Sequence, residues 1–176
     1  MSLMRASDRL RRLSWAIGRL SAFAVCVLLL LSLTACGGDE SSPEEQVRRY
    51  IAEGETAAEG RELKRLRELI AENYTDQAKR TRRDLVRLMG GYFFRHKSIH
   101  LFTRLASLQI KDEKQAGVVL YVAMAGSPIS GTEQLISLRA DLHRFELELG
   151  KGEDDQWRLL SAHWRRATPD DFIQGN

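Results

Sequence analysis

At His96 the apolar residues of this chain change from a helical period of about 3.6 to a strand period of 2, so that helices come first and hairpins follow. Ser42-Pro43-Glu44-Glu45 joins an N-cap serine, a proline at the first helical position and a glutamate three after the cap. Val47, Tyr50, Ile51 and Ala58 then share one helical face. Gly60 separates that helix from a second, whose stripe is Leu63, Leu66, Leu69 and Ile70 and whose end falls at Asn73-Tyr74-Thr75-Asp76. Thr81 and Asp84 repeat the capping signature for a third helix, which turns Leu85, Leu88, Met89, Tyr92 and Phe93 inward. Gly90-Gly91 in its middle predicts a kink or the close passage of a neighbour.

Beyond His96, strands are expected over 99–110 and 117–125 around the turn Asp112-Glu113-Lys114-Gln115, and over 138–149 and 157–167 around a turn rich in glycine and acid. Residues 126–131 read as a loop and 168–176 as a loosely held tail. Three helices followed by two hairpins specify an α+β class, with helices packed on one side of an antiparallel sheet.

The start of the chain is a different kind of sequence. Arg5, Arg9, Arg11, Arg12 and Arg19 precede an apolar run of about 13 residues, shorter than the roughly 20 that cross a bilayer core. Leu33-Thr34-Ala35-Cys36 closes it and resembles the lipobox of bacterial lipoproteins. The resemblance implies a signal peptide over 1–35, cleavage before Cys36, lipid on its thiol, and attachment to the membrane through that residue. Gly37 in place of aspartate implies an outer-membrane, periplasm-facing location. Residues 36–42 form a polar tether that reaches about 25 Å when extended.

Removing the signal changes the electrostatics. The whole chain carries 27 basic and 24 acidic residues; without the five arginines and one aspartate of 1–35 the balance is 22 to 23. The basic bias therefore leaves with the signal, and nucleic acid is not an expected partner. Cys26 leaves too, so no disulfide or cysteine metal site remains to the domain.

The order of elements over 43–167, the helical hairpin ending in Leu69-Ile70-Ala71-Glu72-Asn73-Tyr74, and the final strand Gln156-Trp157-Arg158-Leu159-Leu160-Ser161-Ala162-His163-Trp164 resemble the nuclear transport factor 2-like superfamily, also called SnoaL-like. The resemblance implies a sheet curved around the helices into a cone with a pocket at its wide end. Enzymes, small-molecule binders and interaction modules share that fold, so it implies no single function.

Several residues are candidates for the work of such a domain. Asp141 and His143 share a strand face with Phe145, Leu147 and Leu149, and an acid two residues from a histidine can orient an imidazole for general-base chemistry. Asp141, His143 and Tyr121 are the catalytic candidates; the resemblance implies that an isomerase of this fold uses an aspartate base with a tyrosine, parts that Asp141, Tyr121 and Tyr92 could take. Tyr92, Phe102, Tyr121, His143, Phe145 and Trp157 are the expected lining of a ligand pocket. Lys79, Arg80, Arg82, Arg83 and Arg87 gather at the start of the third helix, where cations oppose the macrodipole, and they suggest contact with an anionic surface. His96, His100 and His163 share no short ligand spacing, so neither a metal nor any other cofactor is expected. The expected role is a non-catalytic, lipid-anchored binding module for a small apolar ligand or an envelope protein, with a small isomerase-type enzyme and a structural scaffold as alternatives. Pairing of two copies through the sheet is the oligomer this architecture allows.

Overall fold

The structure, a computed structural model, describes residues 41–174, with the side chains of 173 and 174 left aside. The signal run, Cys36, Gly37 and most of the tether lie outside the described residues.

Helix α1 (Pro43–Glu59) begins at the capping box read from the sequence: the Glu45 amide donates to the Ser42 hydroxyl at 3.3 Å, and the Ser42 amide donates to the Glu45 carboxylate at 3.0 Å. Gly60 caps its end. Helix α2 (Leu63–Glu68) is shorter than the periodicity predicts. Its continuation leaves the helix because the edge of the last strand has backbone groups to satisfy. The Ala71 amide donates to the Leu159 carbonyl at 3.0 Å, and the Leu159 amide to the Leu69 carbonyl at 2.9 Å. Ile70 is thereby held in a parallel bridge to Leu159.

A tight loop follows. Asp76, whose side chain is 0% exposed, accepts from the Ala78 and Arg80 amides at 2.8 and 2.9 Å and from the Arg80 guanidinium at 3.1 Å. Helix α3 (Arg82–Arg95) opens on the reciprocal Thr81–Asp84 cap, which draws the Asp84 carboxyl below its ordinary pKa. The glycine pair produces no break in α3; Gly90 instead admits the tip of Leu63, which a Cβ there would meet at 3.3 Å.

Strands β1 (His100–Asp112), β2 (Gln115–Ala125), β3 (Asp141–Lys151) and β4 (Trp157–Arg166) form an antiparallel sheet in the order β1-β2-β3-β4. Register shifts break the alternation between Leu105 and Ser107 in β1 and between Glu148 and Leu149 in β3, where β4 skips from Ser161 to Leu159. These bulges keep Leu108 in the same core as Leu105, and Leu159 in the same core as Ala162. The main core is Val47, Ile70, Tyr74, Val118, Leu120, Leu149, Trp157 and Leu159, between the helices and one sheet face.

Two further elements correct the sequence reading. Within the long β2–β3 connection, α4 (Gln134–Ser137) buries Leu135, and β3 begins three residues later than the pattern suggests. The supposed loose tail contains α5 (Pro169–Gln174), capped by Thr168 and Asp171, with Phe172 only 1% exposed. Phe172 joins Leu135 and Ala123 in a second core on the opposite face of the sheet.

Candidate functional site

A cavity of about 500 Å³ lies between α1, α3 and the inner face of the sheet. Strand alternation and register decide which side chains reach it. Val122 lies opposite Thr103 of β1 and His143 of β3, so these three cross the floor as a row, with Thr103 and His143 two strand spacings, roughly 10 Å, apart. Leu120 and Met124 continue the floor along β2. Helix α1 supplies Ile51, Gly54 and Ala58 to the wall, and α3 supplies Leu85, Leu88, Met89 and Tyr92. The third side is aromatic: Phe145 has its ring 6.0 Å from His143 and 6.2 Å from Trp164.

Polar groups are few here. Thr103 Oγ1 and His143 Nδ1 are buried and have no hydrogen-bond partner. Burial pushes the His143 pKa below its ordinary value and the Arg166 charge acts the same way, against opposition from the Asp141 carboxylate and backbone. The ring is therefore neutral near pH 7. Tyr92 is shifted upward by burial and then by Asp141, which keeps its phenol protonated. Glu55 and Arg95 stand among the lining residues as its charged members.

Three of the pocket candidates read from the sequence, Tyr92, His143 and Phe145, line this cavity. Phe102 and Tyr121 do not, because Phe102 pairs with Ala123 and Tyr121 with Arg144, on the parity opposite to Val122 and His143. Both pack against Phe172 instead, at ring distances of 6.5 and 5.5 Å. Trp157 is also elsewhere: it sits in the core near the start of α1, where its indole N–H donates to Gln46 at 3.1 Å and Lys151 lies over its ring. Asp141 is half-buried and influences both His143 and Tyr92, yet it is not among the lining residues. The set Asp141, His143 and Tyr121 is thus divided, with Tyr121 across the sheet from His143.

Thr103, Trp164, Leu120 and Val122 line the cavity without having been singled out. The signal for Thr103 is its place between Leu101 and Leu105 in the strand alternation. A polar residue in an apolar row is informative only once the cross-strand partner is known.

Three of the five members of the basic cluster are paired with acids. Arg80 pairs with Asp76 and lies 5.0 Å over the Trp164 ring. Arg82 pairs with Glu72 and Arg87 with Asp84. Lys79, in a left-handed conformation at φ 57°, and Arg83 are exposed. The histidines are dispersed: His96 stacks on Tyr92 at 4.1 Å, His100 contacts Ser98 at 3.1 Å, and His163 faces Glu146 at 3.8 Å. Among the described residues no group of three or more His, Cys, Asp or Glu side chains is placed to hold a metal.

No family model matches the chain. No curated protein matches its sequence either. Solved structures do resemble it. A putative scytalone dehydratase from Novosphingobium aromaticivorans aligns with a TM-score of 0.58 at 12% identity, covering 71% of this chain and 84% of that one. An NTF2-like protein of unknown function in nutrient uptake from Rhodospirillum rubrum aligns with a TM-score of 0.52 at 17% identity, covering 69% and 98%. Bd1075 of Bdellovibrio bacteriovorus aligns with a TM-score of 0.54 at 10% identity; the match takes in 70% of this chain and 40% of that larger one. At such identities the likeness concerns the fold. The chain has the NTF2-like, SnoaL-like α+β fold, four antiparallel strands curved around its helices with a cavity between them.

Proposed function

We propose that this protein is a lipid-anchored binding module of the bacterial envelope that holds one small apolar ligand in the cavity between α1, α3 and the sheet. The observation that carries the reading is the cavity itself: about 500 Å³ of space, an apolar lining, and two buried polar atoms on its floor with no partner. His143 and Thr103 are suited to fix the orientation of a ligand rather than to transform it. Of the catalytic set read from the sequence, Tyr121 lies on the far side of the sheet, while Tyr92 is the tyrosine that faces the cavity.

An envelope protein on the outer sheet face finds less support. That face presents Arg144, Glu146, Glu148, His163 and Arg165, and it pairs Arg144 with Glu146 and Lys111 with Glu148. It is charged, and α4 and α5 cover its other end. Anchoring at Cys36 rests on the sequence, through the arginine-rich start, the short apolar run and Leu33-Thr34-Ala35-Cys36.

Native mass spectrometry of the full chain, purified from bacterial membranes, tests the ligand. One bound small molecule per chain is expected, and its occupancy should fall at least tenfold in Val122→Trp, which fills the cavity from its floor. An unoccupied wild type, or a variant that retains the molecule while its thermal midpoint is unchanged, overturns the proposal. Separately, Cys36→Ala should lose the mass of the lipid and leave the membrane fraction.

A further inference from the structure

The outward face of α3 carries apolar side chains that nothing within the fold covers. Phe94 is 89% exposed and Leu88 47% exposed. At roughly 100° per residue the steps from Leu88 through half-buried Gly91 to Phe94 each turn about 60°, so that Leu88 at the cavity and Phe94 in solvent bound a sector about 120° wide. Arg83 borders this sector, Arg87 and Arg95 stand within it, and exposed Lys97 follows the helix. The one acid in α3, Asp84, is engaged by the Thr81 cap and by Arg87 at 3.5 Å. Leu88 and Arg95 also line the cavity, so this sector and the cavity opening share the same helix.

We propose that this face of α3 docks on an anionic phospholipid bilayer, with Phe94 and Leu88 in the interface and the arginines at the headgroups, so that the cavity receives its apolar ligand from the membrane and not from water. Two observations single out a bilayer as the occupant. The face is cationic and carries an exposed aromatic and an exposed aliphatic side chain, the composition of a helix that lies in a membrane interface. The cavity behind the same helix is apolar, so a ligand that prefers lipid to water can pass along Leu88 without crossing solvent. The inference rests on the envelope location and ligand cavity proposed above; it adds the surface and the source of the ligand.

The experiment uses the full chain reconstituted in vesicles of phosphatidylethanolamine and phosphatidylglycerol, with a photoreactive phenylalanine analogue at position 94. A control carries the analogue at position 136, where Ile136 is 74% exposed. The expected result is lipid adducts at position 94 at least fivefold above those at 136, falling severalfold in pure phosphatidylcholine and in Arg83→Glu/Arg87→Glu. Both charge changes are on exposed side chains; an acid at 83, in the first turn of α3, favours the helix, and the Arg87–Asp84 pair that the second change removes is a solvent-exposed one of small weight. Equal yields at the two positions, no lipid adduct, or a protein adduct at 94 overturns the proposal. The mass of the Cys36 peptide from the same sample reports anchoring independently. An unacylated chain that still gives the position 94 adduct removes the anchor and leaves the docking face standing.

Discussion

His143 presents an imidazole to an otherwise apolar cavity, and its titration makes it visible in solution. Its folded pKa lies below the ordinary 6.5, chiefly through burial. As pH falls below about 6.5 the unfolded chain takes up this proton before the folded one does, so stability rises with pH across that range and is lost on acidification. His143→Leu should therefore flatten the change in urea midpoint between pH 7 and pH 5, whereas an identical slope would place the ring in solvent. Asp76 is the other residue whose removal should be costly. Its carboxylate holds two backbone amides and Arg80 with no exposure of its own, so Asp76→Ala should destabilise by about 3 kcal/mol in urea unfolding. Whether a single residue reaches the cavity was only half legible in the sequence. Along one strand the alternation is explicit, and it correctly aligned His143 with Phe145. Between strands the parity depends on register, which no single residue announces, and Tyr121 and Phe102 consequently turned out to face Phe172.

Elements were legible where local chemistry decides them. Both capping boxes, the Glu113-Lys114 hairpin and the change of period at His96 arise from interactions within a few residues, and all appear in the structure. The end of α2 was not legible, because a distant strand edge recruits Ile70 and Ala71. Nor was the α5 helix, six residues long and held by one buried phenylalanine. Phe172→Ala should cost about 3 kcal/mol if that ring belongs to the core as described, and almost nothing if the tail were loose. The opposite sign is expected within α3. Gly91 lies half-buried in the interior of α3 with only the flexible Arg95 end near an added Cβ, at 3.6 Å, so Gly91→Ala should stabilise by about 1 kcal/mol. Circular dichroism melts of the two variants measure both effects.

For the molecule as a whole, sequence and structure divide the problem between them. The proposed membrane address rests on the sequence of 1–36 alone, whereas the residues of 41–174 build an NTF2-like α+β fold with a cavity between helices and sheet, the proposed ligand site. Trp157, Leu149 and Tyr74 are packed in the main core, while small residues of α1, Gly54 and Ala58, line this apolar space. Nature has provided two reporters inside it: Met89 and Met124 both line the cavity. The most direct measurement is the carbon-13 methyl spectrum of methionine-labelled full chain titrated with N-phenyl-1-naphthylamine, an apolar probe of suitable size. The cavity account predicts saturable shifts of the Met89 and Met124 signals at one probe per chain, abolished by Val122→Trp. Probe binding that leaves both signals in place would contradict it.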